Sequence, residues 1–417
     1  MDSAKTKVGS SSLVENLPVE MIHMDVEERP RFATSSTEFN RVLGGGVVRG
    51  SVVLLSGDPG IGKSTILLQL AALIAGQGKK VLYVSGEESA HQTKARADRL
   101  GIKGEGFYLL CETHLETILH HLKETSPELA VIDSIQTVFL EEVGGASGSM
   151  SQIRECALQL IRWAKTSDTP LFVTGHVTKE GTLAGPRILE HMVDVVLYLE
   201  GSSFSSHRLL RGVKNRFGST NEVGVFEMRE QGMVEISNPS QYFLSSRFQG
   251  AIGSVVSPIV EGTRPLLVEI QALTTTSYGV PRRVANGIDF NRLLLLIAVL
   301  TKRAGLQLAN QDVIINVVGG LKINEPAVDL AVAMAIASSL TDHEVDSCLA
   351  VVGEVGLSGE VRAISHIDRR VAEAARQGFT RCIVPKGCLD SPIADCGMKI
   401  VAADSIREAL EKGILPR

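Results

Sequence analysis

The sequence predicts an α/β protein: a mainly parallel sheet around a phosphate-binding loop, followed by a second α/β region without such a loop. Three observations carry this reading. An apolar run at residues 52–56 leads into a glycine-rich octet and then a helical pattern. Short apolar runs then alternate with amphipathic stretches, the arrangement that makes strands parallel and covers both faces of a sheet. Beyond residue 246 the texture changes to longer helical patterns separated by short β-like runs.

Taken in order, residues 1–30 are polar and irregular and read as a flexible N-terminal arm. Strands are expected at 52–56, 81–85, 107–110, 129–133 and 171–174, with helices at 63–75, 89–100, 115–124 and 153–166 between them. In the first helix Leu67, Leu70, Ala71 and Ile74 are spaced for one buried face. The runs 193–199, 208–213 and 224–228 extend the sheet by hairpins. Residues 141–151, rich in Gly and Ser, read either as a surface loop or as a segment that orders on ligand binding. The expected division is a first domain at 31–236, a linker at 237–247 and a second domain at 248–417. In the second, helices are expected at 291–304, 327–340 and 367–377, and strands at 266–272, 313–318, 349–354 and 382–385.

The chain has 417 residues, room for two or three domains at roughly 100–200 residues each. A net charge of −5 excludes a uniformly basic nucleic-acid coat but not a local basic channel. Aromatic content of 4% leaves few platforms for stacking bases. The six cysteines form no C-x-x-C pair, so no zinc site is expected. With no apolar signal segment and no run of about 18 apolar residues, neither export nor membrane contact is expected, and the reading is cytoplasmic.

Gly57-Asp58-Pro59-Gly60-Ile61-Gly62-Lys63-Ser64 matches G-x-x-x-x-G-K-[ST] in full, after a strand and opening a helix. Glycines let backbone N–H groups close around phosphates, and the helix N-terminus adds positive potential. Lys63 neutralises the β- and γ-phosphates, Ser64 supplies a hydroxyl to Mg²⁺, and Thr65 completes the nucleotide-binding run. The expected ligands are therefore ATP and Mg²⁺. Asp133 ends the apolar run 129–132 and is placed to hold the Mg²⁺ shell. Glu87 and Glu88 follow the strand at 81–85; Glu87 is the choice for orienting the attacking water, Glu88 the alternative. His176, at another strand end, reads either as a γ-phosphate sensor or as a structural histidine. Lys214-Asn215-Arg216-Phe217-Gly218 follows a late strand, and its two cations suit a phosphate on a neighbouring subunit of a ring.

In this order, the motifs resemble the RecA-like ATPase core. Recombinase RecA carries Lys-Asn-Lys where this chain has Lys214-Asn215-Arg216, and the full Lys-Asn-Arg-Phe-Gly string resembles the signature of the bacterial RadA (Sms) family. That resemblance runs from about residue 35 to the C-terminus. It implies a DNA-dependent ATPase of recombinational repair, a homo-hexameric motor on single-stranded or branched DNA that promotes branch migration, with RecA recombinase as a protein partner. It also implies a second domain similar to the Lon peptidase. Lon's nucleophilic Ser lies in a Gly-Pro-Ser-Ala-Gly string; the matching stretch here is Glu325-Pro326-Ala327-Val328-Asp329, with Ala327 at the nucleophile position and Asp368 at that of the dyad Lys. Without hydroxyl and amine, acyl transfer has no route, so no protease activity is expected. Members of the family usually carry a four-cysteine zinc finger at the start; here the first Cys is Cys111. The DNA-contact candidates are Lys179, which falls in the region that resembles a DNA-contacting loop of RecA, Arg187, Arg282, Arg283, Lys302 and Arg303, each singly more often an ordinary surface charge. A DNA-independent regulatory ATPase of the circadian-clock type and an ATP-dependent protease are the alternative readings.

Overall fold

A computed structural model describes residues 30–176, 185–201, 206–220, 222–248, 250–390 and 396–414, leaving out the side chains of 176 and 185–187. The expected arm at 1–30 therefore lies outside the described residues but for Pro30.

A short hairpin, β1 (Arg31–Phe32) with β2 (Val47–Val48), encloses helix α1 (Thr37–Val42). The main sheet follows. β3 (Val52–Gly57) is buried along its whole length and leads through the phosphate loop into α2 (Lys63–Ala75). β4 (Val81–Ser85), α3 (Ala90–Arg99), β5 (Phe107–Cys111), α4 (Leu115–Thr125), β6 (Leu129–Asp133), α5 (Met150–Thr166), β7 (Leu171–His176), α6 (Gly185–Met192) and β8 (Val195–Glu200) continue the alternation. Three antiparallel strands, β9 (His207–Asn215), β10 (Val223–Arg229) and β11 (Gly232–Glu235), complete the order β11-β10-β9-β8-β3-β7-β6-β4-β5.

Local chemistry sets the helix ends. Ser89 and Gln92 form a reciprocal capping box at the start of α3. Ser126 closes α4 in the left-handed conformation. In α5 the buried Ile153, Cys156, Ala157, Leu160 and Ala164 recur at helical spacing. α2 covers one face of the sheet through Ile66, Leu67, Leu70 and Ile74, while α4 and α5 cover the other. Each such aliphatic side chain contributes roughly 1.5–3 kcal/mol of burial.

The stretch expected as a linker holds a helix instead. α7 (Pro239–Leu244) starts at Asn238, whose side chain caps the Gln241 N–H, and has Pro239 in its first turn. Phe243 of α7 lies in a core that runs from Leu209, Val223 and Val225 of the first sheet into the second. The seven-stranded second sheet has the order β14-β15-β13-β12-β16-β19-β20, from β12 (Ser254–Glu261), β13 (Arg264–Thr276), β14 (Arg283–Asn286), β15 (Gln311–Val317), β16 (Leu349–Val351), β19 (Arg381–Pro385) and β20 (Lys399–Ala403). A small hairpin pairs β17 (Glu354–Val355) with β18 (Val361–Arg362). The helix expected at 291–304 is α8 (Phe290–Val299) continued by a wider turn at Leu300–Ala304. α9 (Asp329–Thr341), rich in alanine and buried nearly throughout, packs on β12 and β13, and α10 (Ile367–Arg376) and α11 (Ile406–Gly413) follow. The β12–β13 turn meets α1 and the β9–β10 hairpin through polar pairs: Arg264 with the buried Glu38 of α1, Arg211 with Glu261 at 2.9 Å, and Thr263 with Glu222 at 2.8 Å.

Candidate nucleotide site

The C-terminal ends of the parallel strands form one rim. Gly57 pairs in register with His176 and Leu199, and Ser85 with Asp133. β3 lies between β7 and β8: its own crossover runs to β4 on one side, and the connection from β7 passes over β3 to β8 on the other.

The phosphate loop has the backbone its sequence requires. Gly60 and Gly62 take φ of 74° and 113°. A Cβ on Gly57 would stand 2.5 Å from the Leu199 carbonyl oxygen, so only glycine fits there. Gly62 caps α2, leaving the first-turn N–H groups to face a ligand. Lys63 opens the helix, is buried, and donates from Nζ to the Gly57 and Asp58 carbonyls at 2.9 and 3.0 Å. Burial lowers its pKa, opposed by Asp133, Glu87 and Asp58. Ser64 and Thr65 follow on the first turn of α2.

Asp133 accepts hydrogen bonds on both oxygens, from Tyr83 Oη at 2.5 Å and from Thr174 Oγ1 at 2.7 Å. The Asp133–Ser134 peptide is cis. The Ser134 hydroxyl donates to Glu87, which brings that carboxylate beside Asp133. Glu88 is directed elsewhere: its carboxylate pairs with Arg96 of α3, and its N–H donates to Ser85 Oγ at 3.2 Å. Lys63, Asp133 and Glu87 thus converge on one rim, and Glu88 does not join them. A glycine cradle, a buried cation and two carboxylates beside a hydroxyl-bearing helix start suit a nucleoside triphosphate with Mg²⁺.

His176 has its backbone on the rim; its side chain lies outside the described residues, as do Lys179 and the side chain of Arg187. Lys214 and Arg216 sit at the other end of the sheet. Asn215 is level with Val195, and Val195 with Val53, so the pair lies roughly 13 Å or more along the strands from Gly57. Lys214 Nζ donates to the Glu190, Val193 and His191 carbonyls at 2.7, 2.8 and 3.3 Å, closing the C-terminal end of α6. Burial lowers its pKa, as does Arg216, against Asp194 and Glu190. Arg216 pairs with Asp194 at 3.3 Å and is 56% exposed. The Arg31 guanidinium donates to the Gly44 and Phe217 carbonyls and holds the segment against the Gly44–Gly46 turn.

In the second sheet, Ala327 is buried on a turn before α9, and Asp368 is exposed at the start of α10. A buried cation near them is Arg370, which donates to Glu325 at 2.9 and 2.5 Å and to the Pro258 carbonyl at 2.8 Å. Arg283 donates to the Leu308 and Gln311 carbonyls, whereas Arg282, Lys302 and Arg303 are exposed.

Sequence reasoning missed Tyr83, Thr174, Ser134 and Arg208. Arg208 on β9 is buried and donates from Nε to the Ile61 carbonyl of the phosphate loop at 3.2 Å. In the sequence it opens the expected strand at 208–213 after two serines and a histidine, where a cation reads as an ordinary strand-end charge.

The fold and site define a P-loop ATPase with a RecA-like core and a Lon-peptidase-like second domain. The family model of the AAA domain matches residues 22–182, and that of the ChlI subunit of Mg-chelatase matches 295–388. The DNA repair protein RadA of Bacillus subtilis is 53% identical over 398 residues, which is 95% of this chain and 87% of that protein. RadA of Listeria monocytogenes is 52% identical with the same coverage, and RadA of Streptococcus pneumoniae 52% identical over 92% of this chain and 91% of its own. A KaiC-like protein of Pyrococcus horikoshii is 22% identical, covering 50% of this chain and 99% of its own at a TM-score of 0.41. The chain belongs to the RadA family of DNA repair proteins. No helix among the described residues is long and apolar enough to cross a membrane.

Proposed function

We propose that this protein is a DNA-dependent ATPase of recombinational repair, working in the cytoplasm as a homo-hexameric ring that moves on single-stranded DNA and promotes branch migration. The observation that carries the ATPase part is the convergence of Lys63, Asp133 and Glu87 on one rim. The DNA part draws its support from the RadA relatives, which are named as DNA repair proteins.

In this reading residues 57–65 wrap the triphosphate, Ser64 and Asp133 hold Mg²⁺ and its water shell, and Glu87 orients the attacking water. His176 senses the γ-phosphate. Lys214 and Arg216, too far from their own loop, serve the nucleotide of a neighbouring subunit. Residues 31–236 form the motor domain and 248–417 a non-proteolytic scaffold, joined by the segment containing α7. Single-stranded or branched DNA runs along Lys179, Arg187, Arg282, Lys302 and Arg303, with Arg283 shaping that surface through its carbonyl contacts. RecA recombinase is the proposed protein partner.

Electron microscopy of the protein with single-stranded DNA and a non-hydrolysable ATP analogue tests this reading. Closed rings enclosing DNA are expected. Particles that neither close nor retain DNA contradict it and favour a DNA-independent regulatory ATPase.

A further inference from the structure

Two buried hydroxyls converge on Asp133 from the strands that flank it. β6 lies between β4 and β7, and Tyr83 of β4 and Thr174 of β7 donate to opposite carboxylate oxygens. Strand alternation places Tyr83, with Val81, on the face covered by α2. The same alternation puts Asp133 on the face of Leu129 and Val131, which α2 also covers. Tyr83 is 1% exposed, and its ring stacks on Phe107 at 6.0 Å. Thr174 is fully buried. A phenylalanine would fill the space of Tyr83 equally well, so packing alone does not account for the hydroxyl.

We propose that Tyr83 is a positioning residue: with Thr174 it fixes the Asp133 carboxylate so that the remaining lone pairs meet the water shell of Mg²⁺ at the phosphate loop. This rests on the reading of Asp133 as the metal-shell acid. Each carboxylate oxygen has about two acceptor directions, and the sheet takes one on each. A carboxylate held at both oxygens cannot rotate, so its orientation is set before nucleotide and metal arrive. Burial, then the charge and hydrogen bond of Asp133, push the Tyr83 phenol well above its ordinary value.

The test is calorimetric binding of a non-hydrolysable ATP analogue to the full chain, with Mg²⁺ and with a chelator. The ratio of the two affinities is the metal-dependent gain. Asp133→Asn is expected to abolish the gain, and Tyr83→Phe to cut it about tenfold while leaving chelator affinity unchanged. Thermal unfolding without ligand is measured alongside. A full gain in Asp133→Asn overturns the metal-shell reading itself. A gain lost in Asp133→Asn but intact in Tyr83→Phe overturns the positioning role alone. If Tyr83→Phe does not fold, Thr174→Val addresses the other oxygen: a reduced gain supports the proposal, and an intact one rejects it.

Discussion

Arg216 and Asp194 form an ion pair at 3.3 Å at the end of the main sheet away from Gly57, and Asp194 also accepts the Val52 N–H at 3.0 Å, where β3 begins. The cation is therefore anchored under the strand whose far end carries the phosphate loop. No side-chain rotation takes it to its own nucleotide.

If Arg216 acts on a neighbour, hydrolysis requires an interface. Arg216→Ala subunits keep a working loop and Lys63→Ala subunits keep the cation, so mixing the two inactive variants restores part of the activity. A cation supplied in trans is worth about 10³–10⁵ in rate, so even a few mixed interfaces stand above background. ATPase is read against mixing ratio, with co-assembly confirmed by light scattering. A flat line at background despite co-assembly rejects the trans role.

Glu87 touches Ser134 beside Asp133, while Glu88 pairs with Arg96. Glu87→Gln is expected to keep nucleotide affinity and lose turnover by orders of magnitude, whereas Glu88→Gln retains most turnover. Equilibrium binding beside steady-state rates decides it, and the reverse pattern shows that the other carboxylate orients water.

The second domain is expected to cleave nothing. Ala327 offers no hydroxyl, and the buried cation near it, Arg370, is locked to Glu325 and cannot serve as a neutral amine base. Casein incubated with ATP and pure protein should remain intact. Cleavage that persists in contaminant-free protein would require a nucleophile elsewhere.

His207 is 4% exposed and meets Phe243 of α7 edge-on at 5.4 Å. Burial, aided by Arg208, lowers its pKa from 6.5 to about 4. The fold therefore favours the neutral ring: this contribution is complete above pH 6.5 and is lost as pH falls towards 4. The shift corresponds to on the order of 3 kcal/mol. Urea midpoints at pH 7.5 and 5 should differ more in wild type than in His207→Phe; equal pH slopes would remove His207 as the cause.

The phosphate loop was legible because its chemistry is local: eight consecutive residues specify glycine conformations, a helix start and a cation. Asp133 and Glu87 could be found because a polar residue ending an apolar strand stands out. Tyr83 and Thr174 could not, since an aromatic or β-branched residue in a buried strand reads as core. β12 went unseen because Pro258 argues against a central strand. It is tolerated because β12 pairs with β16 in register only at Val256 and Ala350, so the missing N–H lies outside that ladder. α7 was hidden in a polar, Ser-rich stretch whose one deeply buried aromatic, Phe243, gains its meaning from strands distant in sequence.

In the proposed function ATP is hydrolysed at the 57–65 loop under the control of DNA. The direct measurement is the steady-state ATPase rate of wild type and Lys63→Ala, each with and without single-stranded DNA. The expected result is Mg²⁺-dependent turnover that rises with DNA in wild type, and a fall by orders of magnitude in Lys63→Ala under both conditions. Normal turnover in Lys63→Ala would contradict the site, and a wild-type rate indifferent to DNA would contradict the function.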